Sequence, residues 1–416
     1  MEKLIYQPNM NNLLKRTAFL IVTFILFINF SLISQQKYVN PIKLSDQSQI
    51  SIITIDRADE QLFQAFGHIC IFIYDPVNQI DKVYSYGSFE FDTENFYWKF
   101  ITGQLPYKIA ASNLQYTLLE YSEQYENRSV FKQDLNLSMA QKQRVFDVLE
   151  ENLLPENKTY QYKFFQDNCS TRIRDVFKNA MGDSLQFSTK GIEQNQSFRF
   201  WMNKNLPNTP WARFGMNLAI GNLSDQPNTN EETFYIPDNL RIAFDNATNG
   251  GKPIVQSKVQ LFQSYRPIPE KPFPITPSIA FSIVAVFGLI YSYFQFKKNS
   301  QSHWFDRILF VSTGLLGCLI LFLWFFTEHG VTTNNWNILW AWPTNLLFAF
   351  LLTKKSKNIQ TYLTVYQLSI LISVGLGIGW GFFKSEIYPF AIIPILLLLL
   401  VRISLLKINL KAIEMN

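Results

Sequence analysis

The residues in this chain whose types and spacing could do covalent chemistry are Cys169 and His68. The chain has only three histidines and three cysteines, so the pairings are few: His68, His303 and His329 against Cys70, Cys169 and Cys318. Cys318 lies inside an apolar run. Cys169 stands in Asp167-Asn168-Cys169-Ser170-Thr171, where Asp167 or Asn168 can cap a helix that continues to Met181 and stops at Gly182. A thiol in the first helical turn feels the positive end of the helix dipole, and an imidazolium nearby would hold it further toward thiolate. His68 follows Phe66-Gly67 at the edge of the apolar run Ile69-Cys70-Ile71-Phe72-Ile73-Tyr74. There an imidazole can face an adjacent helix terminus while its second nitrogen bonds an orienting polar group.

This pattern predicts Cys169 as nucleophile and His68 as base. Tyr84, Ser85 and Tyr86 on the neighbouring run are the candidate orienters, and Ser85 is favoured. The Cys169 N–H is the natural oxyanion donor, with the Asn168 side chain as a second and with Tyr86 and Arg172 as supporting groups. Other readings stay open. Cys169 can be a small buried hydrophobe, and Asn168 a cap and nothing more. Cys70, two residues beyond His68 and on the same strand face, can line the site or bridge to Cys169 as a disulfide, since an even cysteine count in an oxidising compartment permits it. Zinc needs three or four ligands at characteristic spacing, and His68, Cys70 and Cys169 lack that spacing, so neither a metal nor a cofactor is expected. Glu328 and His329, in the loop Thr327-Glu328-His329-Gly330, form a second polar cluster, although a loop connecting two helices needs no further role.

The elements that must position these groups are legible in outline. Ser51 to Asp56, Ile69 to Tyr74, Asp81 to Tyr86 and Arg128 to Asn136 read as strands. Ser138-Met139-Ala140-Gln141 is a capping box for a helix to about Leu153, stopped by Pro155. Arg241 to Phe244 and Val255 to Phe262 read as strand-like runs flanking the turn Asn249-Gly250-Gly251. The mixed order of elements points to an α+β domain.

Membrane topology follows from hydropathy and charge. Thr17 to Ile33 is apolar behind Lys3, Lys15 and Arg16, as in an export signal or signal anchor. Beyond Pro277 five apolar segments can be drawn: Ser278 to Phe296, Ile308 to Phe326, Ile338 to Thr353, Tyr362 to Phe383 and Pro389 to Ile403. The basic positions Lys297, Lys298, Arg307, Lys354, Lys355, Lys357, Lys407 and Lys411 belong on the cytoplasmic side. That places Gln35 to Thr276, the 327–337 loop and the Lys384 to Tyr388 loop on the opposite side. The expected organisation is a leader at 1–34, an exported domain at 35–265, a proline-rich connector at 266–277, five transmembrane helices at 278–406 and a cytoplasmic tail at 407–416. The formal charge of +5 is largely accounted for by the anchoring loops, and no basic stripe points to nucleic acid.

Phe66-Gly67-His68, Val83-Tyr84-Ser85-Tyr86-Gly87, Pro155-Glu156-Asn157 and Asp167-Asn168-Cys169-Ser170-Thr171-Arg172 together resemble the Lnb lipoprotein N-acyltransferase family of Bacteroidota. The resemblance implies a permuted papain-like, NlpC-type thiol domain with histidine before cysteine, an order shared with the lecithin retinol acyltransferase family. It implies that Cys169 takes an acyl chain from a phospholipid as a thioester, with His68 as base. The acceptor would be the α-amine of a diacylglyceryl-cysteine lipoprotein, and the location the inner membrane with the catalytic domain in the periplasm. Two further readings compete: a membrane-anchored cell-wall cysteine peptidase using the same pair, and a non-enzymatic exported binding module.

Overall fold

The computed structural model describes residues 40–265, 274–298, 300, 302–352, 354, 356–382 and 389–415. The leader, most of the proline-rich connector and the 384–388 loop lie outside them. Alternating and wholly apolar runs supply seven strands of one antiparallel sheet: β1 (Gln49–Ile55), β2 (His68–Asp75), β3 (Ile80–Ser88), β4 (Pro106–Ser112), β5 (Val130–Leu135), β6 (Thr159–Gln161) and, after a small hairpin of β7 (Leu185–Gln186), β8 (Thr248–Asn249) and β9 (Lys252–Pro253), β10 (Val255–Phe262). The order across the sheet is β10-β5-β1-β2-β3-β4-β6.

β2 is apolar on both sides because the sheet is covered on both. Ile69, Ile71 and Ile73 join the main core, whereas Cys70 and Phe72 pack with Ile53, Ile55, Val83, Tyr121 and Val130 on the other face. Helix α1 (Phe96–Thr102) follows β3, and α2 (Leu114–Glu120) lies against that second face. The main face carries α3 (Met139–Asn152), which starts on the expected Ser138–Gln141 capping box, and α4 (Cys169–Met181). Helix α4 buries Cys169, Ile173, Val176, Phe177 and Ala180, one apolar stripe at helical spacing. Two short helices, α5 (Phe198–Lys204) and α6 (Pro210–Ala219), precede α7 (Pro237–Asp245).

Arg241 to Phe244, expected as strand, is helical in α7. Pro237 occupies the first turn, where its missing N–H costs nothing, and Leu240, Ala243 and Phe244 are buried at helical spacing. The Asn249-Gly250-Gly251 turn closes the small β8–β9 hairpin instead, with both glycines at positive φ, 56° and 82°.

Four helices are long and apolar enough to cross a membrane among the described residues: α8 (Pro277–Lys297), α9 (Trp304–Phe325), the Lys357–Gly379 part of α11 (Lys357–Phe382), and Phe390–Leu410, most of it in α12 (Ile393–Met415). The expected third span, Ile338 to Thr353, is not a continuous helix. It forms a 3-10 turn at Trp336–Leu339 and then the seven-residue α10 (Asn345–Leu351), because Pro343 interrupts the ladder. Freed carbonyls at the break are recaptured by side chains: Tyr366 Oη donates to Trp340 O at 2.8 Å, and Ser369 Oγ donates to Leu339 O. This is the condition under which irregular backbone survives at membrane depth. Close approach requires glycine on α9, since a Cβ at Gly317 would lie 2.2 Å from Ala341 O and one at Gly314 would lie 2.7 Å from Leu346 N.

The helical region and the sheet domain are bonded to each other. Asn335 Nδ2 donates to Leu218 O at 2.7 Å, Gly221 N donates to Val331 O at 2.8 Å, and a Cβ at Gly221 would overlap Thr333 O. Phe281 of α8 packs on Trp211 and Phe214 of α6. At the other end of the helices, Arg402 forks onto Asp306 at 2.7 and 2.8 Å and reaches Ser292 Oγ at 3.0 Å, with all three side chains buried. Removing one partner of a buried pair strands the other charge. Arg402→Ala is therefore expected to destabilise the helical region by about 3–5 kcal/mol, read as a lowered melting temperature in detergent; an unchanged value would contradict this.

Candidate active site

Cys169 is the first residue of α4, and its N-cap is Asn168. The Asn168 Oδ1 accepts from Ser170 N at 2.9 Å and Thr171 N at 3.0 Å, while its Nδ2 donates to Phe164 O at 3.0 Å and Tyr235 O at 2.8 Å. Both amide hydrogens are thus committed. Asn168 shapes the helix start and has no donor left for an oxyanion, which corrects that expectation.

The thiol sits where the β2–β3 ladder opens. Paired residues run from Asp75↔Ile80 to Ile71↔Tyr84 and end there, although both strands continue. Gly87 forms a bulge in the adjoining β3–β4 pairing, between Tyr86 and Ser88, at φ 95°. Into this opening comes the Cys169 sulfur, which accepts backbone hydrogen bonds from Ile69 and Ser170. Ile69 is the residue after His68. His68 Nε2 is 2.8 Å from Ser85 Oγ, and Ser85 also bonds the Cys70 sulfur. The structure therefore brings Cys169 to the backbone of the histidine strand and His68 to Ser85. Among the described residues the imidazole bonds the serine, the thiol bonds backbone N–H groups, and no hydrogen bond joins ring to thiol.

Burial dominates the electrostatics. It pushes the Cys169 thiol up to about 11, against the opposing pull of the Ile69, Ser170 and Cys169 N–H groups. It lowers His68 to about 4, with Arg128 adding in the same direction. The resting pair is therefore neutral thiol and neutral imidazole, and the thiolate expected from the helix dipole is not formed: loss of water outweighs a dipole worth roughly 0.3–1 kcal/mol. Burial raises Cys70 to about 12, as suits a packing thiol. Cys70 and Cys169 are both free and belong to cores on different faces of the sheet.

Tyr86 and Arg172 hold the wall beside the thiol. Asn152 Nδ2 donates to Tyr86 Oη at 2.7 Å. Arg172 clamps Asp167 at 2.5 and 2.7 Å and lies 3.9 Å over the Tyr160 ring. Tyr160 is the group that sequence reasoning missed. Its hydroxyl is buried with no hydrogen-bond partner among the described residues, and it borders the space that a Gly87 side chain would fill: a Cβ there would lie 4.0 Å from Tyr160 Oη, 3.8 Å from Cys169 Cβ and 3.8 Å from the Tyr162 ring. The only signal in the sequence was the aromatic alternation Tyr160, Tyr162, Phe164. Two cavities flank this space, about 330 Å³ behind Gly67 and about 450 Å³ between Tyr86, Asn152 and Arg172, and Cys169 lines neither.

Glu328 and His329 lie elsewhere. Glu328 accepts from Gln104 and Gln161, its N–H donates to Thr102 O at 2.8 Å, and His329 Nε2 is 2.9 Å from Ile101 O. They fasten the loop after α9 to the α1–β4 turn. No group of three or more His, Cys, Asp or Glu suited to a metal ion occurs among the described residues.

Residues 45–201 match the Lnb N-terminal periplasmic domain, and residues 269–412 match the Lnb transmembrane domain. The chain belongs to the Lnb family. It is therefore a membrane protein with an N-terminal periplasmic part, of a family associated with lipoprotein processing. No curated protein and no solved structure matches it.

A thiol held protonated alkylates slowly near neutrality. Modification of Cys169 by iodoacetamide in the full-length protein, followed by peptide mass mapping, should climb from about pH 7 to about pH 10 without a plateau; a plateau between about pH 5 and 7 would reveal a preformed thiolate.

Proposed function

We propose that this chain is an apolipoprotein N-acyltransferase of the inner membrane, with a permuted papain-like periplasmic domain. The observation that carries the reading is the Cys169 thiol at the start of α4, bonded to the Ile69 N–H beside His68, in a domain fastened to membrane helices.

Because Ser85 holds Nε2 of His68, Nδ1 is the ring nitrogen left to take a proton, and it does so once the ring turns toward the thiol, to which no hydrogen bond joins it at rest. In the first half-reaction the sulfur attacks an ester carbonyl of a phospholipid while its proton passes to Nδ1. The tetrahedral intermediate collapses to a thioester, and the departing glycerol oxygen takes the proton from the imidazolium, leaving a lysophospholipid. In the second half the α-amine of a diacylglyceryl-cysteine lipoprotein attacks the thioester, an amide forms, and the sulfur regains a proton by way of His68. A neutral pair suits this sequence, since the proton moves as the carbon–sulfur bond forms. The oxyanion meets the Cys169 N–H, since those of Ser170 and Thr171 are spent on the Asn168 cap, and the Tyr160 hydroxyl, a donor with no other partner among the described residues.

Mass spectrometry of lipoprotein N-termini from a strain carrying Cys169→Ala should show the amide-linked acyl chain gone; full N-acylation there would sink the proposal. An acyl adduct on Cys169 of the intact protein separates it from a cell-wall peptidase, which would instead release peptides from peptidoglycan. Tyr160→Phe should lower kcat by about 10–10³-fold with little change in melting temperature. The kcat/KM profile should lose its base only as pH falls toward about 4, since the lowered His68 stays neutral throughout the usual imidazole range; an acid limb near the ordinary value of about 6.5 would exclude His68 in this environment.

A further inference from the structure

The segment from Phe89 to Ile101 is aromatic and largely exposed among the described residues. Phe91, Tyr97, Trp98, Phe100 and Ile101 are exposed by 74%, 79%, 59%, 54% and 46%, and α1 buries only Thr102. A water-facing helix of seven residues would not keep three aromatic rings, Tyr97, Trp98 and Phe100, at its surface without a reason. Its position relative to the membrane helices supplies one. The Trp98 ring lies 5.9 Å from that of Phe322, which stands three residues before the end of α9, about 4.5 Å inside it at 1.5 Å per residue. The C-terminal end of α1 is tied to the loop after α9 by the Glu328 and His329 bonds to Thr102 and Ile101. Phe325 and Phe326, exposed on that same end of α9, extend the apolar face.

We infer that Phe91 and α1 enter the headgroup and upper acyl zone of the bilayer leaflet on the periplasmic-domain side, where aromatic side chains are favoured. The occupant of this face is lipid, argued from its continuity with a membrane-spanning helix. The carboxylates of the segment limit the depth to which it sinks, and Glu90 is already paired with Lys108. The rings also continue inward: Phe89 to Tyr107 at 5.4 Å, Tyr107 to Tyr162 at 4.5 Å, and Tyr162 to the space beside Gly87 and Cys169. On the acyl-transfer reading, we infer that an acyl chain leaves the leaflet for the thiol along this file of rings, which must part to admit it. The route rests on the acyl-transfer reading, whereas the insertion does not.

The test uses the full chain in phosphatidylethanolamine–phosphatidylcholine nanodiscs, with a fluorescent amino acid at Tyr97 or, as control, at Val77 in the turn at the opposite end of β3. Lipids brominated high on the acyl chain should quench the Tyr97 probe several-fold more than the Val77 probe. Equal quenching would overturn insertion. So would a Tyr97 probe shielded from aqueous iodide yet untouched by bromolipid, because a protein partner would then cover the face. For the route, Phe89→Asp, at the outer end of the file, should raise KM for bilayer phospholipid about tenfold while turnover of a water-soluble short-chain thioester donor is unchanged and the Tyr97 quenching is kept. Unchanged KM, or an equal fall with both donors, would overturn the route. Absence of any acyl adduct on Cys169 would instead remove the acyl-transfer reading and leave the quenching result standing.

Discussion

The site depends on one unmade ladder contact. β2 and β3 pair as far as Ile71↔Tyr84 and no further, so the Ile69 N–H is left for the sulfur of Cys169. A strand N–H buried without a partner costs about 1–3 kcal/mol. The start of α4 supplies the partner, which fixes where the helix can sit on the sheet. The Gly87 bulge widens the same opening on the β3 side, and the Tyr160 and Tyr162 rings line it.

Burial there sets the character of the pair. Both groups are desolvated, so both are neutral, and the Ser85 bond presents one defined nitrogen of His68 instead of a charged ring. The same dryness strengthens each remaining dipole: the Cys169 N–H and the Tyr160 hydroxyl, which has no partner among the described residues, lie in a medium with little screening. A charged thiolate standing in such a place would need compensation that the surrounding residues do not provide.

The attachment to the membrane helices is equally specific. Contacts at Gln161, Thr102, Leu218 and Gly221 are made by one loop, 327–337: Glu328 accepts from the Gln161 side chain and donates its N–H to Thr102 O, Asn335 donates to Leu218 O, and Val331 O accepts from Gly221 N. Two of these contacts, at Gln161 and Thr102, lie near the edge of the sheet that carries β6, one residue before Tyr162. The broken segment beside α9 and the Arg402–Asp306 pair hold the helices that present this loop.

Local chemistry was legible in the amino-acid order. The Ser138–Gln141 capping box, the Asn168 cap, the strand at Ile69 and the α4 stripe each rest on interactions a few residues apart, and Cys169, His68 and Ser85 stood out by type. Arg241 to Phe244 misread as strand because four residues cannot show a helical period until Pro237 and Leu240 are counted with them. The third span misread as helix because hydropathy does not register the break at Pro343. Sequence by itself determined which residues can react and that the chain is built for a membrane. Only the tertiary structure decided that the pair rests neutral, that Asn168 is spent on capping, and that Tyr160 borders the same space beside Gly87 as Cys169, since desolvation and hydrogen-bond competition are properties of the packed neighbourhood and not of the local chain.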